Sequence, residues 1–199
     1  MKVYRSIDAY EKIGRTAVTI GTFDGVHTGH QVIIKQLKNA AKKINGQSVL
    51  LTFFPHPRMV LYPDDDELRL LNTIDERIEM LQKEGIDHLI IHPFSKEFSR
   101  LSSTEFVRDI LVNQLNVETL VIGYDHHFGR NREGSFENLQ ELAPLYDFKV
   151  EEIEAQTIQQ INISSTKIRT SLTNGEINAA NNFLGYNYFI EGTVVDGNK

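Results

Sequence analysis

Short apolar runs alternate with amphipathic segments along most of this chain. "TAVTIGTF", "SVLLTFF", "HLIIH" and "TLVIG" are rich in Val, Ile and Leu, short enough to be buried strands, and bounded by turn residues. Between them, "HQVIIKQLKNAAKKI" carries helical periodicity from about His30 to Ile44. "TIDERIEMLQKEG" opens with Thr73 and Glu76 in capping-box spacing, and "SSTEFVRDILVNQL" repeats the device with Ser102 and Glu105. Parallel neighbours need a crossover connection, so this alternation predicts an α/β fold, a doubly wound parallel sheet with helices on both faces. Sheets of this kind bind ligands at the carboxyl ends of their strands. The unusual residues fall there: "GTFDGVHTGH" after the first run, "FFPHPR" after the second and "GYDHHFGRNREG" after the fourth. Near the end, "YFIEGTVVDGNK" introduces a new strand-like pattern, and "YPDDDE", Tyr62 to Glu67, reads as a solvated acidic turn.

Composition narrows the function classes. A net charge of −6 with scattered lysines supplies no positive field for nucleic acid or anionic lipid. The absence of cysteine removes disulfides, thiolate metal sites and thiol catalysis. "MKVYRSIDAYEK" lacks the apolar stretch of a signal peptide, and no run approaches a membrane span, so the expectation is a cytoplasmic protein without nucleic-acid or membrane partners. Nothing in the pattern specifies an oligomeric state.

The densest chemistry lies between Gly21 and His30. Gly21 ends a strand and Gly25 follows Asp24, so the backbone can turn tightly and a ligand can approach without meeting a Cβ atom. His27 and His30 lie on one face of a predicted helix start, with Gly29 leaving room between them. Unpaired N–H groups and a partial positive charge at that start make it an anion site with two imidazole donors added. Zinc is the rival use of the pair, but no third ligand stands nearby and no H-E-x-x-H occurs. G-x-x-x-x-G-K-[ST] and G-x-G-x-x-G are both missing, so the phosphate-handling device is neither a P-loop nor a dinucleotide fingerprint. In "ISSTKIR", Ser164, Ser165 and Thr166 stand where a helix would begin, and the segment reads either as a plain N-cap or as a phosphate cradle. Ser165 and Arg169 share a face, which favours Arg169 over Lys167 as the cationic partner.

"GTFDGVHTGH" resembles the nucleotidylyltransferase signature G-x-F-D-x-x-H-x-G-H. "LTFFPHPRMVLYP", "PFSKEFSRLSSTEFV", "VIGYDHHFGRNREG" and "ISSTKIR" follow in the order seen in the FMN adenylyltransferase module of bacterial bifunctional riboflavin kinase/FAD synthetases. The resemblance implies a Rossmann-like nucleotidylyltransferase fold and transfer of AMP from ATP to the 5′-phosphate of FMN, giving FAD and pyrophosphate. It implies Mg²⁺ bound with the substrate polyphosphate, and no protein metal ligand is assigned. On these motifs His27, His30 and Arg169 are the catalytic candidates. Gly21, Thr22, Phe23, Asp24, Gly29, Ser164, Ser165 and Thr166 are candidates for ATP, and Phe54, Pro55, His56, Pro57, Asp125, Phe128 and Arg132 for flavin. Two readings of Asp24 stand: it orients the glycine turn, or it helps hold Mg²⁺ through water. "FPHP" is a ligand wall or a rigid turn, and His126 occupies a place where the family more often has an aromatic residue. Residues 1–184 are expected to form the adenylyltransferase domain and 185–199 the start of a truncated riboflavin-kinase-like region, without kinase activity in this chain. The alternatives are a different phosphate acceptor, or a flavin-binding or sensing protein without turnover.

Overall fold

The computed structural model describes residues 1–64, 68–123, 127–153, 163–195 and 197. Among them, β1 (Lys2–Tyr4), β2 (Thr16–Ile20), β3 (Gln47–Phe53), β4 (His88–His92), β5 (Val117–Gly123) and β6 (Lys149–Ile153) form one sheet of order β1-β4-β3-β2-β5-β6. Every pairing is parallel. From β2 the chain steps outward through β3 to β4, then returns to the other side of β2 as β5. The direction of winding therefore reverses between β2 and β5, which opens a crevice at the carboxyl end of β2.

Both faces of the sheet are covered, which is why its four inner strands, β2 to β5, read as apolar runs. On one face Ala17, Leu50, Leu89 and Val121 pack with Ile34, Leu37 and Ala40 of α1 (Thr28–Lys43) and Leu81 of α3 (Ile74–Lys83). On the other, their strand neighbours Val18, Leu51, Ile90 and Ile122 meet Phe106, Val107 and Leu111, with Leu139 and Leu142 of α5 (Phe136–Leu142). The expected doubly wound architecture is the one found.

The two predicted capping boxes form. Thr73 opens α3 with both reciprocal bonds to Glu76, and Ser102 opens α4 (Ser103–Glu105) with both bonds to Glu105. Beyond Glu105 the helix continues as a π-helix, Phe106–Gln114, and the Leu115 N–H donates to the Ile110 carbonyl at 2.9 Å. The wider turn keeps Phe106, Leu111 and Leu115, spaced five and four apart, on the buried face.

A short α2 (Pro57–Leu61) follows β3, and two carboxy-terminal helices, α6 (Ser165–Thr173) and α7 (Ile177–Leu184), pair as a hairpin. Ile168, Ala180 and Leu184 of the hairpin form a separate small core with Leu71. The hairpin is tied to the turn after β2: the Thr28 hydroxyl donates to the Phe183 carbonyl at 3.0 Å, and the Tyr186 hydroxyl to the Gly25 carbonyl at 2.7 Å. The strand pattern read in "YFIEGTVVDGNK" is not realised in its described part. Residues 188–195 have no regular structure, and Ile190 and Val194 are 82% and 97% exposed. No described strand lies beside the segment, and a lone strand without a partner is not stable.

Candidate active site

The turn from Gly21 to His27 is held in an unusual backbone. Phe23 and Val26 adopt φ of 49° and 36°, a region costly for a non-glycine residue and most of all for β-branched valine. Both side chains are buried, so packing keeps them there. Gly25 has φ of 87°, and a Cβ on it would come 2.6 Å from Leu71 Cδ1. The glycine expected from the turn is therefore required twice over, by conformation and by space.

Helix α1 begins at Thr28, earlier than its apolar periodicity indicates, because His27 serves as its N-cap. The His27 Nδ1 accepts the His30 amide N–H at 3.4 Å, which leaves the hydrogen of the neutral ring on Nε2. The two imidazoles stack, with centroids 3.6 Å apart and planes within 17°, and Phe23 backs His30 at 4.9 Å. Gly29 makes the stack possible, since a Cβ there would lie 3.2 Å from His27 ring atoms. Burial, reinforced by the Arg169 charge, pushes the His27 pKa down to about 4. Burial, His27 and Arg77 hold His30 well below the usual imidazole range. Both rings are thus neutral N–H donors at neutral pH, set at the amino end of a sixteen-residue helix.

Helix α6 brings its residues to the same turn. Ser164 caps it by accepting the Lys167 N–H at 3.2 Å. One turn of helix separates Ser165 from Arg169, and both reach Asp24: the Ser165 hydroxyl donates to its carbonyl at 2.9 Å and Arg169 Nη2 to Oδ2 at 2.5 Å. Arg169 Nε also donates to the Arg69 carbonyl. Lys167 instead lies over the Phe183 ring at 4.7 Å. Thr166 and Arg169 border a groove of about 280 Å³ whose other wall includes Arg58 and Leu68.

Asp24 is buried and fully engaged. Its Oδ1 accepts the Leu71 N–H at 2.9 Å and lies 3.8 Å from Arg77 Nη2, while Oδ2 holds Arg169. No group of three or more candidate metal ligands occurs among the described residues. These contacts fit the first reading of Asp24, an anchor for the turn and its arginines, and do not fit a carboxylate offered to Mg²⁺. Arg77 itself was not legible in the sequence, where it looks like any basic position of an amphipathic helix.

The "FPHP" segment reaches this site through His56. It caps α2 by accepting the Arg58 N–H at 3.1 Å, and burial, with Arg169, Arg77 and Arg58 adding and Asp24 opposing, lowers its pKa to about 4. Phe54 and Pro55 are exposed and Pro57 begins α2. Phe128 lies elsewhere: its ring packs 5.6 Å from Phe106 in the core of the opposite face. Arg132 is exposed on a loop fastened to α4 by the Ser103 N–H to Glu133 bond of 2.9 Å. Asp125 and His126 lie outside the described residues.

A profile of the FAD synthetase family matches residues 10–167. The bifunctional riboflavin kinase/FMN adenylyltransferase of Buchnera aphidicola subsp. Schizaphis graminum is 39% identical over 201 residues, covering 100% of this chain and 64% of the relative. The protein of the same name from Listeria monocytogenes is 40% identical over 182 residues, covering 92% of this chain and 57% of the relative. The chain thus spans less than two thirds of the length of either relative. Among solved structures, one described as a macrolide-efflux protein from Streptococcus pneumoniae superposes with a TM-score of 0.81 at 27% identity, over 94% of this chain and 70% of that one. No helix in the described residues is long and apolar enough to cross a membrane.

Proposed function

Because the chain belongs to the FAD synthetase family, we propose that it transfers AMP from ATP to FMN. A 5′-phosphate oxygen of FMN forms the new bond to the α-phosphorus, the bond to the bridging oxygen of the β-phosphate breaks, and FAD and pyrophosphate leave. The observation that carries this reading is the stacked, neutral His27–His30 pair at the start of α1, beside Arg169, at the carboxyl end of β2.

The chemistry asks little of the protein beyond positioning and charge. A phosphomonoester has its second pKa near about 6, so the FMN phosphate is mostly dianionic at neutral pH and needs no general base. Negative charge moves onto the leaving pyrophosphate, and fixed N–H donors meet it at no reorganisation cost. His27 Nε2–H, the α1 amino terminus and Arg169 supply such donors, while Ser164, Ser165 and Thr166 carry hydroxyls at the start of α6. Mg²⁺ would enter with the nucleotide and neutralise part of its charge; Asp24, engaged in the free protein by the Leu71 N–H and two arginines, is not assigned to it. The flavin side falls to Phe54–Pro57 and to Arg132, exposed on its loop, while Phe128 packs in the core against Phe106.

Residues 1–184 form the adenylylating unit in this reading, with Tyr186 still packed on the turn after β2 and 185–199 leading toward a riboflavin-kinase-like region. Phosphorylation of riboflavin is not assigned to these residues. The proposed setting is the cytoplasm, where ATP and FMN are available.

Substitution of His27 by Ala separates turnover from binding. FAD formation should fall by about 10²–10³, as for loss of one transition-state donor, while FMN affinity, followed by flavin fluorescence, stays within about twofold. A parallel loss of both would make His27 a structural residue and return the protein to the class of flavin binders.

A further inference from the structure

Arg77 is buried to 1% of its side-chain surface, yet its Nε and Nη2 have no hydrogen-bond partner among the described residues. Nη1 donates to the Thr22 carbonyl at 2.9 Å. Nη2 stops 3.8 Å from Asp24 Oδ1, within ion-pair range and beyond a hydrogen bond. A buried N–H group without an acceptor is rare enough to require an explanation.

The explanation lies in how Asp24 is shared. Two guanidinium groups face one carboxylate, and only Arg169, which is 19% exposed, holds it closely. Asp24 and Arg77 are buried and cannot withdraw into water, so the partly exposed Arg169 is the partner free to leave. Drawing Arg169 away from a lone buried carboxylate would strand a charge, which is costly. With Arg77 in place the carboxylate keeps a counter-ion whichever way Arg169 turns.

We propose that Arg77 is a positioning residue that releases Arg169 to the nucleotide: when a triphosphate draws Arg169 off Asp24, Arg77 Nη2 closes onto Asp24 Oδ1. The inference rests on the reading that Arg169 meets the ATP phosphates. In the free protein Arg77 Nη2 waits unpaired, and in the nucleotide complex it is used.

The test is a double-mutant cycle on ATP affinity, measured calorimetrically with Mg²⁺ and without FMN, so that no turnover occurs. Arg169→Ala and Arg77→Met should each weaken ATP binding by roughly tenfold, the scale of one charge-assisted bond. In the Arg169→Ala background, Arg77→Met should add less than about twofold, because there is no arginine left to release. Multiplicative losses would overturn the role of Arg77 while leaving that of Arg169 intact. No loss in Arg169→Ala would instead overturn the phosphate contact and the inference with it. Should Arg77→Met not fold, Arg77→Lys keeps a charge facing Asp24. ATP affinity within about twofold of wild type supports the proposal, and a tenfold loss in a folded Lys variant contradicts it.

Discussion

Asp24→Asn removes the charge on which two arginines depend while preserving shape. The amide oxygen can still accept the Leu71 N–H, but its NH₂ group would face Arg169 Nη2, donor to donor, where a 2.5 Å bond existed. The two arginines then fare differently. Arg169, 19% exposed, can turn into water, whereas Arg77, 1% exposed, cannot, so one buried cation is stranded rather than two. Removing one partner of a buried pair costs about 3–5 kcal/mol, and a single stranded cation belongs at the lower end, about 3 kcal/mol. For a chain of 199 residues, each kcal/mol shifts Tm by about 2–4 °C, so the midpoint should fall by about 6–12 °C. Thermal unfolding followed by circular dichroism at pH 7 reads this directly. A fall of less than about 2 °C would refute the reasoning, since it would mean that Arg77 does not rely on Asp24 for its charge balance.

Two further outcomes follow from the same turn. Gly25→Ala must place a Cβ at φ of 87° and 2.6 Å from Leu71 Cδ1, so it should lose at least about 2 kcal/mol from conformation and overpacking together; an unchanged urea midpoint would contradict this. Stability should also fall as pH is lowered from about 6.5 toward 4. Folded His27 stays unprotonated down to about 4 while the unfolded imidazole takes its proton near 6.5, so in that window the unfolded state binds the extra proton and is favoured. His30 and His56 act in the same direction. His27→Gln should flatten the decline of Tm between pH 7 and 5, and an equally steep decline in the variant would count against a neutral buried His27.

The sequence carried the strands that are buried on both sides and little about the others. β3, β4 and β5 read as continuous apolar runs because each faces helices above and below. β1, three residues long, and β6, "KVEEI", sit at the sheet edges with polar residues exposed, so no run marks them. The capping boxes at Thr73 and Ser102 were readable because side chain and backbone partner lie three residues apart. The start of α1 was misplaced because a histidine ring, rather than a hydroxyl or carboxylate, performs the cap. Within the site, the nearness of His27 to His30 and of Ser165 to Arg169 was legible from helical spacing. Arg77 was not, because its partners Thr22 and Asp24 are more than fifty residues away and meet it only once the chain is folded. The left-handed φ of Val26 likewise has no local signal; the burial of its side chain sustains it.

Chromatographic separation of flavins after incubation with ATP, Mg²⁺ and FMN is the most direct measurement. FAD and pyrophosphate are expected in equal amounts from FMN. FMN that binds but is never converted, with His27, His30 and Arg169 all intact, would contradict it and leave the stacked histidines as part of a flavin-binding pocket without chemistry.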